Sequence, residues 1–236
     1  MKRLIVLALA ALLCGAMSLE ASKPRIGVLR FTNQTSAGWW SGSVGTELQD
    51  MLASELVSSG AFSILERGEI NAVLSEQDLS SSGRISQDTK IKLKQIKGAR
   101  YLIAGTVSAF EGGVSKTGGS IRIGKIGLGG SKGKAYIAVD VKVIDTQTGE
   151  IVDARTIEAK AGSSSLGGRF DSGKFGVGLG KESKTPTGKA IRACIIYISD
   201  YLTCSLAKVD YPDCMDQWKQ MDNKRKAKTK RSIKLD

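Results

Sequence analysis

Residues 135–160 read AYIAVDVKVIDTQTGEIVDARTIEAK, and this stretch decides the fold. Ile137, Val139, Val141 and Val143 recur at every second position, while Asp140 and Lys142 fall between them. A period of two puts the β-branched side chains on one face of a strand and the charges on the other, so 135–145 predicts a half-buried strand. Thr146 to Gly149 (TQTG) has turn composition, and Glu150 to Lys160 reads as the antiparallel partner.

Working outward, Tyr101 to Ser108 (YLIAGTVS), Arg25 to Phe31 (RIGVLRF) and Ala61 to Leu65 (AFSIL) predict further strands. Val44, Leu48, Met51, Leu52 and Leu56 recur at helical spacing and stop at Ser58, Ser59 and Gly60. Ile70, Val73 and Leu74 mark a short helix, Ile91, Leu93 and Ile96 another capped near Ser86 or Asp88, and Ile191, Ile195, Ile198 and Leu202 a C-terminal one. Strands separated by helical patterns describe an α/β class in which helices cover a mixed sheet.

Two segments break the pattern. Of 28 glycines, 18 lie between Gly105 and Gly180. From Phe110 to Lys134 short alternations are interrupted by glycine pairs, and from Ala161 to Ser183 Phe175, Val177 and Leu179 alternate with Gly176, Gly178 and Gly180. Two hairpins of membrane-strand length, about 9–11 residues per limb, fit here. The first would run from about Thr106 to Lys116, turn at Thr117 to Gly119, and return through Ile121, Ile123, Ile126 and Leu128 with a bulge at Gly124 and Lys125. The second would leave from about Thr156 to Gly167, turn near Asp171 to Gly173 and return through Phe175, Val177 and Leu179. The alternative is a pair of surface loops.

Composition excludes several chemistries. The 236 residues are 41% hydrophobic and 25% charged, an ordinary globular balance, and contain no histidine. Histidine-dependent hydrolysis and HExxH zinc sites are therefore absent. Lys2 and Arg3 followed by the apolar run Leu4 to Leu13 read as an export signal, residues 1–21, with cleavage after Ser18 or Ala21 and lipidation at Cys14 as the alternative. No segment is long and apolar enough for a membrane helix. Of the net charge of +12, half sits in the tail, where Lys224, Arg225, Lys226, Lys228, Lys230, Arg231 and Lys234 face only Asp236. Such a run reads as a solvated tail, or as a contact to anionic lipid, lipopolysaccharide or peptidoglycan; nucleic acid is not expected for an exported chain.

Cys194, Cys204 and Cys214 are equally spaced. On one helix Cys194 and Cys204 stand roughly 15 Å apart, too far to bond, whereas Cys204 and Cys214 can close a loop. Two P-loop-like strings, Gly119 to Lys125 and Gly168 to Lys174, continue into Ile126 and Phe175 where a magnesium-binding hydroxyl is needed. KTG at Lys116 to Gly118 and SxxK at Ser131 to Lys134 occur in the reverse of the order a penicilloyl-serine site requires. The sequon Asn33 to Thr35 reads as a turn. No cofactor, metal or catalytic group is expected.

The strings ILERGEINAVLSEQ (64–77), GARYLIAGTVSAFEGGVSKTGG (98–119) and VDVKVIDTQTGEIV (139–152) resemble CsgG, the curli secretion channel, and its relatives. The resemblance spans about Lys23 to Leu206 and sets off residues 207–236 as a C-terminal extension. It implies a periplasmic α/β domain, here 22–206, with two β-hairpins per subunit (about 106–130 and 156–182) that close with those of other copies into an oligomeric transmembrane β-barrel. Only a closed ring removes every unpaired strand edge from lipid. Ile121, Ile123, Ile126, Leu128, Phe175, Val177 and Leu179 would then face lipid. The family narrows its pore with a loop after the first strand, and the matching loop makes Trp39, Trp40 and Asn33 candidates for the constriction; the other reading packs both tryptophans against the helix below. The resemblance implies a non-enzymatic outer-membrane channel for unfolded or fibre-forming, curli-like protein. Its partners would be a homo-oligomeric ring, the secreted protein, outer-membrane lipid and a periplasmic accessory protein. The alternative is a periplasmic interaction module of the same fold, an envelope scaffold or activator of cell-wall enzymes, that forms no pore.

Overall fold

The computed structural model describes residues 22–115, 121–123, 126–128, 132–162, 185–207 and 213–232. Strands β1 (Arg25–Val28), β2 (Thr32–Asn33), β3 (Ser63–Leu65), β4 (Tyr101–Ser115), β7 (Lys132–Asp145) and β8 (Ile151–Gly162) form one sheet, ordered β3-β1-β4-β7-β8 with β2 also on β4. β1 pairs in parallel with β3 and β4, and β4, β7 and β8 are antiparallel, so the sheet is mixed as the pattern predicts. Helices α1 (Val44–Ser59), α2 (Ile70–Ser81), α3 (Pro186–Leu206) and α4 (Cys214–Ser232) complete the described elements.

The alternating residues of 135–145 do what their period requires. Ile137, Val139, Val141 and Val143 are each 2% exposed or less and lie under α3, whose Ala190, Cys194, Ile198 and Leu202 are equally buried. Leu48, Leu52 and Leu56 of α1 close the core over Ile26 and Val28. The opposite face is polar: Thr32 and Thr106 hydroxyls meet at 2.8 Å, and Thr156 donates to Asp140 at 2.6 Å. Thr185 caps α3 by accepting from the Gly188 amide, with Pro186 in the first turn.

The LERG (65–68) and DTQTG (145–149) parts of the family-like strings hold turns together. Asp145 is gripped by Arg100 through contacts of 2.8 and 3.0 Å and accepts from the Gln147 amide, while Gly149 turns the chain at φ 77°. Glu66 accepts from the amides of Gly68 and Glu69 at the start of α2, and Arg67 donates to the Lys97 carbonyl.

Four expectations are corrected. The partner of β4 is β7, paired from Tyr101↔Asp145 to Ser115↔Lys132, and not the Ile121–Leu128 stretch. That stretch forms its own pair, β5 (Ile121–Ile123) and β6 (Ile126–Leu128), with Ile123 opposite Ile126. The long apolar run of β7 outcompetes a glycine-broken one for the β4 ladder. The ladder of β1 ends where the Leu29 amide donates to the Ile103 carbonyl, and Arg30 and Phe31 leave it, because Phe31 turns inward and its amide donates to the Gly45 carbonyl. The expected helix around Ile91 to Ile96 does not form; the chain there is irregular, with a bend at Leu93 and Lys94, and Lys94 has φ 61°. Lys90, Lys92, Lys94 and Lys97 repel one another on so short a segment, and no element buries its apolar residues, so the cost of helix nucleation is not met. The basic tail is not a loose extension, since residues 214–232 form α4.

Phe31 is buried directly over Gly105, where a Cβ would fall inside its ring. Gly105→Ala is therefore expected to destabilise the fold by about 1–3 kcal/mol through overpacking. The urea midpoint is the check, with Gly38→Ala, which meets open space, unchanged.

Candidate functional site

Three features gather at one end of the sheet. Gly113 pairs with Lys134, and Lys134 pairs with Gly162, so the chain enters both glycine-rich segments from the same edge. The loop after β2 reaches toward this end through its aromatic residues. A β-bulge between Val107 and Ala109 reverses the parity of β4, which brings Phe110 opposite Ile137 and onto the core side. Trp39 meets that ring edge-on at 5.4 Å and Trp40 at 5.7 Å.

Trp39 and Trp40 are half-buried and pack against the core, so the structure puts them beside the first hairpin and also gives them a packing role. Trp39 further borders a cleft of about 340 Å³ between α1 and α3, edged by Glu47, Met51, Ile191 and Arg192, and its buried indole N–H has no partner among the described residues. Asn33 spends its amide inside the loop: its Oδ1 accepts from the Thr35 amide and hydroxyl, and its Nδ2 donates to the Thr35 carbonyl. The structure thus brings the two tryptophans together and keeps Asn33 in an Asx turn at the β2 end. Of the lipid-facing candidates, Ile121, Ile123, Ile126 and Leu128 lie in the β5–β6 pair. Phe175, Val177 and Leu179 lie outside the described residues.

The sequence reading missed the docking of α4. Cys204 and Cys214 form a disulfide, Cα atoms 5.9 Å apart, which starts α4 beside the end of α3. Arg155 then lies over the Tyr201 ring at 4.7 Å and donates to the Trp218 carbonyl at 2.8 Å. Tyr201 and Trp218 meet edge-on at 5.4 Å, and the Tyr201 hydroxyl donates to Asp153. A signal was present: Asp153 and Arg155 share the parity of buried Ile157, and a charge on an apolar face calls for a partner. Cys194 is buried, its Sγ donates to the Ile157 carbonyl, and burial pushes its thiol up to about 12. Among the described residues no cluster could hold a metal ion, and no helix is long and apolar enough to cross a membrane.

A helix-backed mixed sheet from whose one end two glycine-rich segments leave defines the α/β class of this domain. The family model for the curli production assembly/transport component CsgG matches residues 10–233, and the chain belongs to that family. No curated protein matches it. Among solved structures, the hypothetical protein CT253 from Chlamydia trachomatis is 16% identical, with 78% of this chain and 99% of that chain covered and a TM-score of 0.43. The PelC dodecamer from Paraburkholderia phytofirmans is 14% identical (78% and 88% covered, TM-score 0.39). The LpoB C-terminal domain from Salmonella enterica is 15% identical (64% and 92% covered, TM-score 0.29).

Two measurements test this geometry. Trp39→Ala removes the ring that joins the loop to Phe110 and is expected to cost about 2–3 kcal/mol in urea unfolding. Burial, then the bond to Asp153, raises Tyr201 from 10.0 to about 12, and burial, then Glu158, does the same for Tyr136. Below pH 10 the ionisation of neither group contributes to the pH dependence of stability; above it the unfolded tyrosines ionise first, so stability falls between about pH 10 and 12. Tyr201→Phe should flatten that fall in a thermal-melt series against pH.

Proposed function

We propose that the protein is a non-enzymatic assembly module of the cell envelope that works by binding further copies of itself and an envelope partner. The observation that carries this reading is an apolar face left open by the fold. Val73 and Leu74 of α2 and Ile91, Leu93 and Ile96 of the following segment are each 41–45% exposed. The segment is tied to α2, where Ser80 accepts from the Ile91 amide, so these residues are held out on a defined surface. Such a patch on a soluble domain marks an interaction site. Family membership in curli production assembly/transport supports the same reading.

A second reading is an outer-membrane secretion channel subunit exporting unfolded or fibre-forming protein without nucleotide hydrolysis. It is favoured by the common exit edge of the two glycine-rich segments, 113–134 and 163–184, each long enough for two limbs of about 11 residues, the length of a membrane strand. In that reading Ile121, Ile123, Ile126, Leu128, Phe175, Val177 and Leu179 face lipid, and Trp39 and Trp40 stand at the mouth of the pore.

Light scattering of the mature chain is expected to give an oligomer. Ile91→Asp with Leu93→Asp should reduce it to monomer with unchanged circular dichroism; an oligomer of unaltered mass would defeat the assembly face. Planar-bilayer conductance of the same preparation separates the two readings: steady unitary currents from detergent-extracted oligomer establish the channel, and a particle that stays in solution without detergent and never conducts leaves the module.

A further inference from the structure

Helix α4 changes character along its length. Cys214, Met215, Trp218, Asp222 and Arg225 are half-buried and form one stripe toward the domain, whereas every residue from Lys226 to Ser232 is exposed. Arg155 meets Trp218, and Arg225 lies 3.8 Å from Glu158. Seven helical residues and three strand residues both span about 10 Å, so α4 runs alongside β8 in the same direction. Arg155 and Glu158 point to opposite faces of the sheet, which places the helix along the edge of β8. The last seven residues carry it a further 10 Å or so, level with Gly162, where the second glycine-rich segment begins.

That overhang is a cation array. From Asn223 to Ser232 there is no acidic residue and six are basic. Arg225 and Lys226 are paired with Asp222, whose carboxyl Lys226 and Arg225 hold down at about 2. Lys224, Lys228 and Arg231, at i, i+4 and i+7, share a different face and make no ion pair among the described residues. Exposed Lys134 and Lys160 stand at the same end of the sheet, against exposed Glu111. Three like charges on one helical face destabilise it in water, so the arrangement calls for an anionic surface rather than a single small anion.

We propose that the Lys224–Lys228–Arg231 face of α4 binds the phosphate headgroups of an anionic membrane and sets the hairpin end of the sheet against it. The proposal rests on the envelope location given above and is independent of pore formation. Phosphate recognition by a flat row of cations matches charge to charge at a plane. Each cation near such a surface strengthens binding roughly fivefold at low salt.

The test is co-sedimentation of the full mature chain with phosphatidylcholine vesicles, with and without phosphatidylglycerol, at low and high salt. The expected result is binding that needs phosphatidylglycerol and is lost in high salt. Lys224→Gln/Lys228→Gln/Arg231→Gln should weaken it by roughly 100-fold. Lys23→Gln/Arg84→Gln/Lys142→Gln, which removes the same charge from exposed positions elsewhere, should leave it unchanged. Should the triple change disturb the helix, Lys228→Glu alone, at an exposed position that forms no ion pair among the described residues, should weaken binding by roughly 25-fold. Equal loss in both triple variants, no loss in either, or no binding to any vesicle would overturn the proposal. Salt-resistant binding to pure phosphatidylcholine, unaffected by the α4 changes, would overturn it while supporting hairpin insertion. Tighter, α4-dependent binding to double-stranded DNA would reassign the surface to nucleic acid.

Discussion

The antiparallel ladder between β4 and β7 is the constraint on which the other elements depend. It is the longest pairing in the described chain, from Tyr101↔Asp145 to Ser115↔Lys132, and it buries Ile103, Val107, Ile137, Val139, Val141 and Val143 on a single face. A sheet with one apolar face must cover it, and α1 and α3 do so. The bulge between Val107 and Ala109 is the one interruption, and it has a large effect. Without it Phe110 would point to the polar face, and Trp39 would have no ring to rest on.

The same ladder has two unlike ends. At its closed end Arg100, Asp145 and the turn through Gly149 lock the register with part-buried, charge-assisted bonds. At its open end the chain leaves the sheet for both glycine-rich segments, and the aromatic loop rests on Phe110. The motifs that make the family recognisable belong mostly to the locked end. They secure turns and helix starts, which is why they identify the fold and carry no chemistry themselves.

The edge of β8 is the second physical problem that the fold solves. Among the described residues β8 ends the sheet, and an open edge invites pairing with other chains. The Cys204–Cys214 bond brings α4 back, and Arg155, seated between Tyr201 and Trp218, pins it there. A helix that would be marginal alone is stabilised by this stripe of contacts, and the pairs of Asp222 with Arg225 and Lys226 offset part of the charge repulsion.

The strands at 101–108, 135–145 and 150–160 and the helices at 44–56 and 191–202 were legible in the sequence, because a buried face imposes its period on the residues that form it. The mixed α/β class followed from their order, and the family from the LERG and DTQTG strings. Which segment pairs with β4 was not legible, since local alternation marks a strand without naming its partner. The failure of Ile91 to Ile96 to form a helix and the ordering of the basic tail into one share a cause. Three apolar positions with nothing packed on them do not hold a helix, whereas a charged segment clamped by a disulfide and one half-buried arginine does. Periodicity and turn chemistry are local and survive in the sequence alone; partner strand, bulge parity and helix docking depend on surfaces that meet only when the chain has folded.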